Sequence, residues 1–326
     1  MKKLYVVIPC YNEEEVLNET AKRLEVKMNS MIEEDLISKD SRVVLVNDGS
    51  KDRTWEMIEE LHEKNPLFSG INLSRNRGHQ NALLAGLMTV KDHCDVSISM
   101  DADLQDPPDM LPEMIEILEN EDYDCVGTRR TNRKGEPPIR SFFARMFYKL
   151  INKISDTEIV DGARDFRVMT RQMVDAILSM TEYNRFSKGI FSWIGFKEKV
   201  IEYENQVRTV GETKYSLRFS LNYAIQGILS FNDKPLRMCI NLGLFCLMIS
   251  VAYVLWSFVQ YFVAPDTMVS GYFTTIFSVV LFGGIQLISI GVLGEYIGKI
   301  YYEVKKRPHY LVDQTNMTQK GEQNDN

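Results

Sequence analysis

Val96-Ser97-Ile98-Ser99-Met100 is an apolar run that ends on Asp101-Ala102-Asp103-Leu104-Gln105. A short run of this kind reads as a buried strand, so two carboxylates stand where that strand breaks into a loop. Asp101 and Asp103 share an orientation on an extended chain, and Gln105 continues the alternation. Such oxygen ligands suit Mg2+ or Mn2+, which would bind the diphosphate of a substrate at the same time. A solvated acidic turn ahead of Pro107-Pro108 looks the same, so this segment alone leaves both readings open.

On either side the same grammar repeats. Leu4–Ile8, Val43–Asn47, Ile71–Leu73 and Cys125–Gly127 are further short apolar strands. Helix-like segments at Glu13–Met28, Thr54–Lys64, Asn81–Lys91 and Pro108–Glu119 separate them. Strands alternating with amphipathic helices predict a parallel sheet covered on both faces, with ligands gathered beyond the carboxyl ends of its strands. Those ends carry Pro9 to Glu13, Asp48-Gly49-Ser50, Ser74-Arg75-Asn76, Asp101-Ala102-Asp103 and Thr128-Arg129-Arg130. Asp48-Gly49 is often only a turn. Its carboxylate could also accept the ring N–H of a uracil base on which Tyr11 stacks, with Glu13 at the base or ribose. Glu13 reads equally as a first-turn helix residue favoured by the macrodipole.

The C-terminal third obeys a different rule. No charged residue occurs from Met238 to Val263, nor from Thr267 to Gly294. Each run exceeds the roughly 20 apolar residues that cross a bilayer core, and a short connector with Pro265 and Asp266 makes them a hairpin. Lys234 and Arg237 flank one end and Lys299, Lys305, Lys306 and Arg307 the other, which predicts that both ends and the N-terminal part face the cytoplasm. The opening residues show no export signal: Leu4–Pro9 is too short for an apolar core and acidic residues follow at once. In Pro138–Ile154, Arg140, Arg145, Lys149 and Lys153 recur at near-helical spacing beside Phe142, Phe143, Phe147 and Ile151. This is the pattern of a basic amphipathic helix on a membrane surface, or of a solvated surface helix. The five cysteines lack metal-ligand spacing and read as reduced, and a net charge of −7 argues against nucleic acid as a general partner. The expected organisation is a catalytic domain at 1–232 with an interfacial helix at 138–154, and a hairpin at 233–297 with spans near 238–263 and 269–294. A basic, then disordered, tail follows at 298–326, the polar part beginning at Gln314.

Seven segments then appear in a recognisable order: VVIPCYNEEEVL, VNDGSKDRT, LSRNRGHQNALLAG, MDADLQDPP, DFRVM, NRFSKGIFSWIGF and VGETKYS. Together they resemble the family 2 inverting glycosyltransferases of GT-A fold. They are closer still to the polyprenyl-phosphate branch, which includes bactoprenol glucosyltransferases and dolichol-phosphate mannose synthases. The hairpin and the ending GEYIGKIYYEVKKRPHY also resemble the bacterial members. The resemblance implies an α/β fold of GT-A type, a Rossmann-like and mostly parallel sheet, followed by a two-helix transmembrane hairpin.

It also implies roles. Pro9, Tyr11, Glu13 and Asp48 would line the nucleotide pocket, with Arg75 among the nucleotide-sugar-binding residues. Asp101, Asp103 and Gln105 would hold Mg2+ or Mn2+, and Arg208 and Lys214 would close over the diphosphate. Arg129 and Arg140 would grip an acceptor phosphate, for which guanidinium forks are suited. Asp103 and Asp165 are the candidate catalytic carboxylates, Asp165 reading equally as a structural partner of a nearby arginine. Two positions depart from the pattern. His79 stands where bacterial relatives commonly carry lysine, which removes a fixed positive charge near the donor, and Arg164 stands where glycine is frequent. The implied reaction moves glucose or N-acetylglucosamine from a UDP-sugar to undecaprenyl phosphate at the plasma membrane, homo-oligomerisation being left open. Transfer from GDP-mannose, a nucleotidyltransferase and a non-catalytic membrane scaffold are the alternatives. A dinucleotide-dependent oxidoreductase is disfavoured, because no G-x-G-x-x-G follows the first strand.

Overall fold

The computed structural model describes residues 1–103, 105–131, 162–185, 187–203, 234–263 and 271–317. The predicted interfacial helix at 138–154, Arg140, Arg208 and Lys214 lie outside the described residues, as do 264–270 and 318–326.

Among the described residues, eight strands form one sheet: β1 Leu4–Cys10, β2 Arg42–Asn47, β3 Phe68–Leu73, β4 Val96–Ser99, β5 Cys125–Arg130, β6 Ala163–Thr170, β7 Glu198–Tyr203 and β8 Val312–Thr315, ordered β7-β5-β6-β4-β1-β2-β3-β8. Helices α1 (Leu17–Glu33), α2 (Thr54–Lys64) and α4 (Leu111–Asn120) cover one face, while α3 (His79–Val90), α5 (Arg171–Ser179) and α6 (Ser187–Ile194) cover the other. Strand alternation explains the split. Val6 and Ile8 join the core under α1, with Leu17, Leu24 and Met28, whereas Val7 joins Val44, Val46 and the apolar residues of α3. β1 is buried on both faces, hence its continuous apolar reading. Gly86 lets α3 lie close on the sheet, because a Cβ there would overlap the side chains of Val7 and Val46.

The central strands β4-β1-β2-β3 run parallel, as the alternation predicts. The flank corrects the expectation. β5 does not lie beside β4, because β6 is inserted between them and pairs antiparallel with both. Its N-terminal end therefore meets the carboxyl ends of β4 and β5, and Asp165 arrives at the same edge as Asp101. β7 pairs parallel with β5 and brings Tyr203 to that edge too. Element ends also shift. Glu13 lies ahead of α1, in a turn whose carbonyl accepts the N–H groups of Val16 and Leu17, so the first-turn reading of that residue does not hold.

Two long helices, α7 (Lys234–Val263) and α8 (Tyr272–Lys305), follow the sheet. Their spans Leu236–Trp256 and Thr274–Lys305 have mean hydropathies of 2.2 and 2.3. Phe245, Leu255, Trp256, Leu287 and Ile288 are exposed along them, a surface suited to hydrocarbon rather than water. At 34 residues α8 is about 51 Å long, more than a bilayer core requires. Its last turns lie against the catalytic domain, where the Tyr183 ring stacks on Tyr302 at 5.2 Å and the Tyr183 N–H donates to Glu303 at 2.8 Å. Lys306 caps α8 from the left-handed region, at φ 46°.

The tail does not begin at Gln314. Val312–Thr315 is β8, antiparallel on β3, and Trp55 Nε1 donates to Gln314 Oε1 at 3.2 Å. Asn316 reaches Gly70 through both backbone and side chain. The chain thus leaves the hairpin and returns to the sheet it started from.

Candidate active site

Three loops at the carboxyl edge are sewn together. Asn12 N–H donates to Ser50 Oγ at 2.9 Å, Lys51 N–H to Asn12 Oδ1 at 2.8 Å, and Glu13 N–H to Thr54 Oγ1 at 2.9 Å. Asp48 joins the third loop: its Oδ1 accepts from Arg77 N–H at 2.6 Å and its Oδ2 from Gly78 N–H at 2.8 Å. Burial pushes the Asp48 carboxyl above the usual range, against the pull of those two amides and of His79 and Arg77. Gly49, at φ 61°, has the backbone of Arg75 and Asn76 where a Cβ would stand, which keeps this crossing tight. Asp48 is therefore first a clamp on the 75–78 loop, and a base would use its remaining lone pairs. Pro9 is buried at the end of β1, Tyr11 and Glu13 are half-buried beyond it, and Arg75 is exposed across the crossing.

The second group is built from charge. Asp101 follows β4, and the buried Ala102 between the two carboxylates is anchored by Thr20 Oγ1 donating to its carbonyl at 2.7 Å. Asp103 Oδ1 accepts the N–H of Gln105 at 3.1 Å. His79, the first residue of α3, places Nε2 3.6 Å from both Asp101 Oδ1 and Asp165 Oδ2. Burial, like the positive end of its helix, disfavours an imidazolium there. The hydrogen bond to Asp165 and the charges of Asp101, Asp165 and Asp48 outweigh it and raise His79 to about 9. The carboxylates around this position thus favour a positive charge on the imidazole, and an imidazolium is no general base. The Asp165 carboxylate also accepts from Ser187 Oγ at 3.1 Å. Ser187 is in turn clasped by Gln80, whose Nε2 donates to its Oγ at 2.8 Å and whose Oε1 accepts its N–H at 2.9 Å.

Behind this lies a third group. Arg164 Nη2 donates to Gln105 Oε1 at 2.8 Å, and its Nε lies 3.3 Å from Asp106 Oδ1. Tyr203 OH donates to the same oxygen at 2.6 Å. Asp106 is fully buried, and its Oδ2 has no hydrogen-bond partner among the described residues. Burial raises its carboxyl to about 6, Arg164 and Tyr203 pulling down while Asp101 and Asp103 push up.

The predicted residues are thus partly united. Asp101, Asp103 and Asp165 share one cluster, while Gln105 faces Arg164. Arg129 leaves the end of β5 and pairs with Glu202 at 3.0 Å on an exposed edge. Gln80, Asp106 and Ser187 stood inside quoted motifs without a role. Tyr203 stood in none.

The donor set can be tested for a divalent cation. No three His, Cys, Asp or Glu side chains among the described residues form a metal-holding group. Asp101 is nonetheless crowded by Asp103 and Asp165, and burial raises its carboxyl despite His79 and Arg164. Two partly exposed carboxylates short of positive charge fit a hard cation that takes its other ligands from substrate and water.

A carboxylate-rich carboxyl edge on a GT-A sheet, joined to an apolar hairpin, defines a membrane-associated enzyme of the glycosyltransferase class. Residues 5–178 match the model of glycosyl transferase family 2, and residues 234–300 match that of the GtrB C-terminal hairpin. The chain belongs to glycosyl transferase family 2. A relative named uncharacterized glycosyltransferase YkcC, from Bacillus subtilis, is 40% identical over 95% of this chain and 93% of its own. The prophage bactoprenol glucosyl transferase homolog of Escherichia coli is 38% identical over 95% of this chain and 98% of its own. The bactoprenol glucosyl transferase of Shigella phage SfX is 39% identical, with the same coverages.

Proposed function

We propose that this enzyme transfers glucose from UDP-glucose to a polyprenyl phosphate, undecaprenyl phosphate in a bacterial membrane, with inversion at the anomeric carbon. The observation that carries the reading is the meeting of Asp101, Asp103 and Asp165 at one sheet edge, on a chain that runs on into an apolar hairpin. The names of the bactoprenol relatives favour glucose over N-acetylglucosamine.

A phosphate monoester is largely dianionic at neutral pH, so the acceptor oxygen attacks the anomeric carbon without a base. His79, 3.6 Å from both carboxylates, fixes Asp165 against Asp101. Asp165, held from its other side by Ser187, orients the sugar or the acceptor. The carbon–oxygen bond to the diphosphate breaks as the new one forms, so an α-linked donor gives a β-linked lipid. A Mg2+ or Mn2+ ion at Asp101 and Asp103 would supply charge neutralisation for the departing diphosphate. Pro9, Tyr11, Glu13, Asp48 and Arg75 are assigned to the nucleotide, Arg208 and Lys214 to the diphosphate, and Arg129 and Arg140 to the acceptor phosphate. Glu202 must then release Arg129. The return of β8 to β3 supports a hairpin whose two ends lie on the catalytic side, and the basic flanks support the cytoplasm as that side.

The test offers purified protein labelled UDP-glucose, UDP-N-acetylglucosamine and GDP-mannose with undecaprenyl phosphate. Label from UDP-glucose should enter the organic phase fastest. Absence of lipid-linked label with all three donors would overturn the reading.

A further inference from the structure

Arg164 carries a charge that the proposed reaction leaves unused. It rises from β6 into the back of the acid cluster, where its side chain is 18% exposed, and a guanidinium there stays protonated at any working pH. One fork arm takes Gln105 Oε1 at 2.8 Å, and Nε faces Asp106 Oδ1 at 3.3 Å and Tyr203 OH at 3.4 Å. The base of the side chain is also fixed, because Arg167 Nε donates to the Arg164 carbonyl at 3.2 Å. The only amide oxygen on the Gln105 side chain is thus committed to a cation, two residues from the carboxylate of Asp103.

We infer that Arg164 is a positioning residue that turns Gln105 away from the divalent cation, so that Asp101 and Asp103 hold the cation without it. This rests on the proposed metal reading and refines it. A ligand oxygen cannot serve a guanidinium at 2.8 Å and also lend full strength to a dication. The fixed positive charge beside Asp101 further weakens the attraction of the cluster for a second cation. Arg164 therefore acts twice, once by engaging the oxygen and once by its charge. The consequence is a cation bound loosely by the protein and firmly only when the diphosphate brings its own oxygens. Arg164 also neutralises Asp106, whose second oxygen has no partner among the described residues, so Asp106 would suffer most from its loss.

The inference is tested by Mn2+ titration of the full chain in detergent, with and without UDP, free Mn2+ being read by electron paramagnetic resonance. Gln105→Ala should leave Mn2+ affinity within about two-fold of the parent. Arg164→Gly should tighten it about ten-fold without UDP, and adding Gln105→Ala to that variant should remove most of the gain, the signature of a coupled pair. Should Arg164→Gly fail to fold, Arg164→Lys keeps the charge but cannot hold Gln105 and Asp106 in one fork, and should tighten Mn2+ by a smaller margin, about three-fold. A ten-fold loss in Gln105→Ala alone, or Arg164 variants with parental affinity, would overturn the inference. Asp103→Ala separates the two levels: if it leaves Mn2+ binding unchanged, the metal reading itself fails and the inference with it.

Discussion

The Asp48 corner and the Asp101 corner both hold buried carboxylates at the same sheet edge, yet they are stabilised in opposite ways. Asp48 is satisfied by two backbone amides, Arg77 and Gly78, on a loop pinned by Gly49. Asp101, Asp165 and Asp106 depend on side-chain cations, His79 and Arg164. Backbone amides come with the fold and cannot leave. Side-chain cations can be rearranged or outcompeted by a cation that arrives with substrate. The first corner is therefore expected to govern stability, and the second the chemistry.

Breaking the comparison should produce unequal effects. Asp103→Ala should lower transfer at least about 100-fold while its thermal midpoint stays near that of the parent, consistent with the loss of a charge-stabilising group. Asp48→Ala should lower the midpoint as well as transfer, because the N–H groups of Arg77 and Gly78 lose their acceptor, at a cost of about 1–2 kcal/mol in chemical denaturation. Equal midpoints for these two variants would erase the distinction between the corners. His79→Ala should lower transfer about ten-fold and His79→Lys should restore most of it, since the account requires a charge and no base. If His79→Lys were as impaired as His79→Ala, the imidazole itself would be needed. The smallest effect is expected from Gln314→Ala, which removes the Trp55 hydrogen bond at an exposed edge for about 0.5–1 kcal/mol.

Much of the second corner could be read in the chain. The Asp101–Gln105 loop announced itself because an apolar run ended on two carboxylates, and the parallel strands β1 to β4 followed from local alternation. The hairpin was legible from charge-free length alone. Less visible was the placement of β6: its residues read as a motif, but an antiparallel insertion between β4 and β5 is decided by pairing with distant strands. The same holds for β8, whose partner strand lies some 240 residues earlier and whose polar sequence resembles a solvated tail. The charge preference of His79 was hidden for a related reason. Its pKa belongs to Asp101 and Asp165, which reach it only in three dimensions. Arg164 could be marked as unusual, but its reach to Gln105 and Asp106 depends on a long side chain crossing between loops.

The most direct test of the central claim is the structure of the lipid product formed from UDP-glucose and undecaprenyl phosphate, read by proton and phosphorus nuclear magnetic resonance. A β-configured glucose joined to the lipid through a single phosphate is the predicted result, with UDP released only when the lipid phosphate is present. An α-linked product, or UDP release into free glucose regardless of lipid, would contradict direct attack by the phosphate at this edge.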